Sequence, residues 1–326
     1  MKKKILIITT GGTIAMKHNS PFGVIPNDEF TEHLRSFPQL EKIATIDVHE
    51  FSNIPSPFID PPMMLKLAQT IDDKIENYDG IVVTHGTDTL EESAYFVDLI
   101  SKTQKPVVFT AAMRSGSELG LDGPRNIVGA VRVAGCSRSS RRGVLVVMND
   151  EIDSARDVVK TDSSKTDTFA SPSLGLLGIV DPDKIIYYRK SEYHEKIITD
   201  KIESNIDLIK CCSGMDGRFI EASLEHKAKA IVIEAFGRGN VPKTIIPAIE
   251  KALLQNVLIV LVSRTYTGRV LPEYGYPGGG LFLHKKGVLL GGDLKGPKMR
   301  IRLMALFGKY KHVDDVKNYL LNSKDN

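Results

Sequence analysis

The fold reading turns on Ile5-Leu6-Ile7-Ile8-Thr9-Thr10-Gly11-Gly12-Thr13-Ile14-Ala15. Four branched apolar residues follow one another without polar alternation, which describes a strand covered on both faces, as in a parallel sheet. The paired glycines that follow permit a tight turn with backbone N–H groups turned outward. Ligands of open α/β sheets collect beyond the carboxyl ends of the strands. This turn is therefore the first place to look for chemistry, although paired glycines alone more often serve backbone geometry only.

Similar runs recur at residues 81–83, 107–109, 144–147, 231–233 and 258–262. Helical patterns lie between them. Asp60-Pro61-Pro62 reads as an N-cap with prolines in the first turn, and Met64, Ala68, Ile71 and Ile75 form one apolar stripe behind it. Thr89-Leu90-Glu91-Glu92 reads as a capping box opening a second helix, whose inward face is Leu90, Ala94 and Val97. Residues 243–255, 298–307 and 312–321 are predicted helices too. Strands alternating with helices define an α/β protein with open parallel sheets. The predicted division is an N-terminal domain over 1–190, a polar linker over 191–205 and a C-terminal α/β domain over 206–326.

Composition narrows the function classes. The chain has 326 residues, 42% of them hydrophobic and 25% charged, with a formal net charge of +3. Such a chain is no disordered polyelectrolyte, and it makes no positive case for binding nucleic acid. Cys136, Cys211 and Cys212 are too few for a disulfide framework and include no Cys-x-x-Cys pair, which suits a reducing cytoplasm. The apolar run after Lys2-Lys3-Lys4 is too short for a secretory h-region of ~7–15 residues. No stretch approaches the ~20 apolar residues of a membrane span. The expectation is a soluble cytoplasmic protein with no membrane partner.

A second strand end is as suggestive as the first. In Ile81-Val82-Val83-Thr84-His85-Gly86-Thr87-Asp88-Thr89 a strand meets a glycine, then a hydroxyl and a carboxylate standing just before a helix. That position favours a carboxylate and offers donors to an anion; capping the helix is the plainer alternative. His85 reads as a packing or hydrogen-bonding residue rather than a base. Other sites find no support: no Gly-Lys-Ser/Thr follows either turn, and Gly237-Arg238-Gly239 is no dinucleotide motif. Nor is there a His-Glu-x-x-His pair or a Gly-x-Ser-x-Gly elbow.

Thr10-Gly11-Gly12-Thr13-Ile14-Ala15 and Thr84-His85-Gly86-Thr87-Asp88-Thr89-Leu90-Glu91-Glu92 resemble the two signatures of the bacterial-type L-asparaginases, the asparaginase/glutaminase family. Further segments share the likeness: Thr110-Ala111-Ala112-Met113-Arg114, Leu121-Asp122-Gly123-Pro124, Arg156-Asp157-Val158-Val159-Lys160-Thr161 and Gly237-Arg238-Gly239-Asn240-Val241-Pro242. The resemblance therefore covers essentially the whole chain. It implies a larger, flavodoxin-like N-terminal domain and a smaller C-terminal one. The implied reaction is hydrolysis of L-asparagine to L-aspartate and ammonia, with weaker action on L-glutamine. No cofactor or metal takes part. The implied assembly is a homodimer or homotetramer in which a neighbouring subunit completes each active site.

Carried over by motif, Thr13 is the nucleophile, and Thr87, Asp88 and Lys160 form a second-threonine triad. A threonine hydroxyl needs a base, and a suitably placed lysine can serve. The implied substrate contacts are Gly12, Gly86 and Thr87 at the two turns, Asp88 for the ammonium and Ser56 for the carboxylate. Ala112 would offer its carbonyl to the leaving amide, and Asn240 and Glu273 would come from the neighbouring subunit. Two departures stand out. Pro57 occupies a position where glutamine is common, which removes a side-chain donor. Residues 16–28 contain no tyrosine, although the family commonly has one on the lid that follows the first motif. Tyr274 or Tyr276 of a partner chain is the expected source of the missing hydroxyl. Two other readings compete: an amino-acid-binding protein that has kept the fold, and the asparaginase-like subunit of a tRNA amidotransferase. The second carries an extra domain ahead of the first motif, which here begins at Thr10.

Overall fold

A computed structural model describes residues 2–18, 24–26, 30–35 and 37–323. The chain forms two compact units, Met1–Lys196 and Ile197–Asn326.

The first unit is built on an eight-stranded sheet. Across it the strands run Ile185–Tyr187, Gly178–Val180, Glu151–Ser154, Val144–Met148, Val107–Thr110, Gly80–Thr84, Lys3–Gly11 and Ala44–Ile54. The last five in that order are mutually parallel. In chain order they lie 2-1-3-4-5, the flavodoxin-like arrangement. The order therefore reverses between Lys3–Gly11 and Gly80–Thr84, which pair in register from Ile5 with Gly80 to Thr9 with Thr84. A crevice beyond the carboxyl ends of those two strands is where such a sheet binds ligands.

The other three strands add an antiparallel extension that the apolar runs do not foretell. Its cause is local. Asn149 and Asp150 both adopt positive φ, 50° and 63°, between paired Met148 and Glu151. Two such residues make the tight turn whose twist suits a hairpin, and a hairpin can only return antiparallel. Ala44–Ile54 was also silent in the sequence. As an edge strand it is only half-buried, and it carries Asp47, His49, Glu50 and Ser52 among its apolar residues.

Both faces of the sheet are covered. Ile5, Ile7, Val82, Val108, Leu145 and Val147 pack with Ile127, Ala130, Val131 and Ala134 of helix Gly123–Gly135. Helices Pro61–Lys74 and Leu90–Ile100 pack against each other. The predicted stripe of Met64, Ala68, Ile71 and Ile75 is fully buried, at ~1.5–3 kcal/mol for each large side chain. Asp60 caps its helix as expected, accepting from the Met63 N–H at 2.9 Å with Pro61 at the first helical position. The second helix also begins after Thr89, but the capping-box reading of that threonine is corrected. Its side chain makes no capping bond, and its hydroxyl donates to the Ser56 carbonyl at 2.8 Å.

The second unit has a four-stranded parallel sheet in the order Ile206–Lys210, Ala230–Ala235, Leu258–Ser263, Leu289–Leu290. Ile231, Ile233, Ile259 and Leu261 pack with Ile220, Leu224, Ile249, Ala252 and Leu283. Helix Gly296–Lys309 lies against the first two strands, and Val313–Asn322 packs on that helix. Residues 243–255 divide into a 3-10 turn, Lys243–Ile245, and helix Ile246–Leu254. Among the described residues no helix is long and apolar enough to cross a membrane.

Candidate active site

Glycines decide what meets at the switch point. Gly11 and Gly12 have φ of 106° and 81°, a backbone region that side chains disfavour. A Cβ on Gly12 would lie 2.3 Å from the Gly86 Cα, so the two strand-end turns touch backbone to backbone. A Cβ on Gly86 would lie 2.6 Å from both Cβ and Oγ of Ser56. Three segments far apart in the chain thus converge because two residues lack side chains. Further bonds fix the junction. Gly12 N–H donates to Ile54 O at 3.2 Å, and the Thr10 hydroxyl donates to Thr84 O at 3.0 Å.

Thr13 opens the 3-10 turn Thr13–Ala15 directly after these glycines, and it is half-buried. Among the described residues its hydroxyl has no hydrogen-bond partner. Thr87 is different. It is 7% exposed, and its Oγ accepts from Lys160 Nζ at 3.0 Å. The same ammonium donates to Asp88 Oδ1 at 2.6 Å. Of that ion pair Lys160 is 18% exposed and Asp88 60%. The lysine is thus the sheltered partner, and much of the carboxylate stays open to a ligand.

Lys160 arrives on a short hairpin in which it pairs with Phe169 and Val159 with Ala170. Its N–H donates to Glu91 Oε2 at 2.7 Å. No sequence signal singles out Glu91, which reads as one of two acids in the first turn of its helix.

Ser56 is 3% exposed and begins the 3-10 turn Ser56–Phe58, held from behind by Thr89. Pro57, the next residue of that turn, is exposed. Ala112 is buried after strand Val107–Thr110. A Cβ on Gly123 would lie 3.2 Å from Ile14 and 3.4 Å from Ala112, which brings the Thr13 and Ala112 turns together. The Ala112 turn is pinned on both sides. Asn126 Nδ2 donates to Ala111 O at 3.0 Å, and Asp122 accepts from the Met113 and Arg114 N–H groups at 3.0 Å each. Asn126 also had no signal in the sequence, because its role depends on a helix packing under the turn.

Burial lowers the His85 imidazole from 6.5 to about 4, so it is neutral at pH 7. Its Nδ1 lies 2.8 Å from the Gly86 carbonyl. A neutral ring donating there stabilises the glycine turn, in keeping with the structural reading of this residue. Among the described residues no group of three or more His, Cys, Asp or Glu side chains is disposed to hold a metal ion.

Gly12, Thr13, Ser56, Pro57, Gly86, Thr87, Asp88, Ala112 and Lys160 all belong to the first unit. Asn240 and Glu273 belong to the second. There Asn240 Oδ1 accepts from the Gly280 N–H at 3.3 Å, and Arg238 Nε lies 3.8 Å from Glu273 Oε2. Tyr274 and Tyr276 are exposed beside them, with ring centroids 5.7 Å apart. The absent lid tyrosine concerns a stretch that includes residues 19–23 and 27–29, which lie outside the described residues.

The geometry presents a hydroxyl with no partner among the described residues, a hydroxyl bonded to an amine and a carboxylate left largely open. That is equipment for acyl transfer on a small charged substrate. Comparison with known proteins points the same way. Residues 4–193 match the family model "Asparaginase, N-terminal", and residues 205–320 match "Glutaminase/Asparaginase C-terminal domain". The chain is 38% identical to an L-asparaginase of Bacillus licheniformis over 95% of its own length and 97% of the relative's. It is 36% identical to a probable periplasmic L-asparaginase of Haemophilus influenzae, over 97% and 91%. The crystal structure of a probable cytoplasmic L-asparaginase from Campylobacter jejuni superposes with a TM-score of 0.88 at 32% identity, covering 99% of this chain and 100% of that one.

Proposed function

This chain belongs to the asparaginase family and hydrolyses L-asparagine, and from that premise we propose how its residues divide the work. The Thr13 hydroxyl attacks the side-chain amide carbon, giving a tetrahedral intermediate whose oxyanion lies at the strand-end turns. The C–N bond then breaks, and the nitrogen leaves as ammonia with the proton released by Thr13. Water attacks the resulting threonyl ester, the bond to Thr13 Oγ breaks as that oxygen takes up a proton from the water, and L-aspartate is released. The observation that carries this reading is the Gly12–Gly86 backbone contact, which brings the turns bearing Thr13 and Thr87 together.

Thr87, Lys160 and Asp88 manage protons on the opposite side. Thr87 accepts from Lys160, which leaves its own O–H free to donate. Lys160 Nζ, bonded to both Thr87 Oγ and Asp88 Oδ1, holds that hydroxyl in place, so a relay runs from the reacting centre through Thr87 to Lys160. The open face of Asp88 binds the substrate ammonium, and Ser56 with the Gly86 backbone binds its α-carboxylate. Pro57 contributes shape alone. The Ala112 carbonyl accepts from the leaving amide. L-Glutamine is one methylene longer, a difference worth ~1–3 kcal/mol in a fitted pocket, so L-asparagine is the preferred substrate.

The protein works as a homodimer or homotetramer in which Asn240 and Glu273 of a neighbouring subunit complete the ammonium pocket. Tyr274 or Tyr276 of that subunit supplies the hydroxyl that residues 16–28 do not. The enzyme is cytoplasmic, a placement supported by the solved C. jejuni relative and by three free cysteines.

Ammonia release from L-asparagine and L-glutamine tests the assignment. Thr13→Ala and Thr87→Ala should each lower turnover by ~10³ or more. Wild-type turnover in either variant removes that threonine from the mechanism. In the same assay, full activity in both Tyr274→Phe and Tyr276→Phe eliminates the tyrosine assignment. Sedimentation of the active protein as a monomer would overturn the shared site.

A further inference from the structure

Lys160 faces a placement problem. Its side chain has four rotatable bonds, yet Nζ must reach both Thr87 Oγ at 3.0 Å and Asp88 Oδ1 at 2.6 Å. The hairpin that carries it has only two paired positions, Lys160 with Phe169 and Val159 with Ala170. The Thr161 N–H also donates to Thr168 O at 2.7 Å, but these bonds tie the hairpin to itself and not to the segment that bears Thr87. The backbone N–H of Lys160 donates elsewhere, to Glu91 Oε2 at 2.7 Å. Glu91 is the second residue of helix Leu90–Ile100, which starts immediately after Thr87-Asp88-Thr89. The two acceptors of the lysine and the clamp on its backbone therefore sit on one continuous, rigid segment.

We propose that Glu91 is a positioning residue for Lys160: its carboxylate ties the lysine's backbone to the strand-end segment that bears Thr87 and Asp88. Glu91 touches neither threonine's chemistry and acts only through the lysine, so this role rests on the relay assigned to Thr87 and Lys160 above. A glutamine at 91 has the same length and keeps an acceptor oxygen, whereas alanine leaves the Lys160 N–H unpartnered. A displacement of ~1 Å at a catalytic group costs about 10²-fold in rate. The loss should fall on kcat, because substrate binding uses Ser56 and Asp88 rather than the clamp.

The test is steady-state ammonia release from L-asparagine by the full-length protein and by Glu91→Ala, Glu91→Gln, Lys160→Met and the double variant Glu91→Ala/Lys160→Met. Glu91→Ala should lower kcat ~10- to 100-fold with KM within about threefold, and Glu91→Gln should stay within about threefold of wild type. In the Lys160→Met background Glu91→Ala should cost nothing more, because coupled residues are non-additive. Should Glu91→Ala fail to fold, Glu91→Asp carries the same test, since it keeps the charge but withdraws the oxygen by one methylene. Wild-type kcat in Glu91→Ala beside an inactive Lys160→Met would overturn the clamp and spare the relay. Equal losses in the alanine and glutamine variants, or full additivity with Lys160→Met, would overturn it as well. An unimpaired Lys160→Met would remove the relay and the clamp together.

Discussion

The two threonine turns leave neighbouring strands at the same end of one sheet, yet they are built in opposite ways. The Thr87 turn is tied at four positions: Thr87 to Lys160, Asp88 to Lys160, Thr89 to Ser56, and Glu91 to the Lys160 backbone. The Thr13 turn has its glycines fixed against Gly86 and Ile54, while the Thr13 hydroxyl itself has no partner among the described residues. Under the proposed mechanism this asymmetry has a reason. A proton relay needs fixed distances, whereas an attacking oxygen must approach carbon and cannot be spent on a strong internal hydrogen bond.

The harshest way to break the comparison is to wedge the turns apart. Gly12→Ala places a methyl group 2.3 Å from the Gly86 Cα at a φ of 81°, and Gly86→Ala places one 2.6 Å from Ser56. Both should lower kcat/KM by ~10²-fold or more, with the larger loss in Gly12→Ala, which meets rigid backbone. Gly135→Ala meets only ordinary contacts, at 3.7 Å from Lys3, and serves as the control. Equal activities across the three would deny that the backbone contact matters.

A gentler perturbation is pH, because the Thr87 turn carries the buried histidine His85. His85 has its folded value depressed from 6.5 to about 4, so the unfolded chain binds the extra proton between those values. Stability from this group is complete above pH 6.5 and is lost as pH falls towards 4. Between pH 7 and pH 5 the loss is about 2 kcal/mol. Urea unfolding should show it in the wild type and not in His85→Gln; an identical pH slope in both would refute the assignment.

The smallest expected effect sharpens the role of Thr89. Thr89→Val removes the hydroxyl that donates to Ser56 O, a bond of ~1 kcal/mol net. Loosening the carboxylate contact proposed for Ser56 should raise KM for L-asparagine about fivefold, with kcat within twofold, as read from initial rates. A fall in kcat with KM unchanged would show that Thr89 serves the relay instead.

The frame of this site was legible because it depends on local chemistry. Unbroken apolar runs announced the strands at Ile5 and Ile81, and Gly11 and Gly12 announced a turn that only glycine makes easily, whereas Gly86 is needed for a close approach to Ser56. The Thr89 cap was misread because Ser56, a partner from a different segment, competes for the same hydroxyl. Lys160 carried no local signal at all. Its meaning depends on a crossover and a two-pair hairpin that return it to Asp88, so only family resemblance named it in advance. The edge strand Ala44–Ile54 and the antiparallel extension escaped for simpler reasons: one is half polar, and the others are short.

The Gly12–Gly86 contact also sets where this pocket can be re-engineered. Two positions that each admit only hydrogen form a wall that a mutational library cannot usefully vary. Diversity has to enter beside it, on the turn that follows Ser56, at Pro57 and at Phe58, which is 68% exposed. Both ride on a turn suspended from Thr89 by a single hydroxyl. Selection for altered substrates should therefore enrich changes at 57, 58 and 89 together, and leave 12 and 86 untouched.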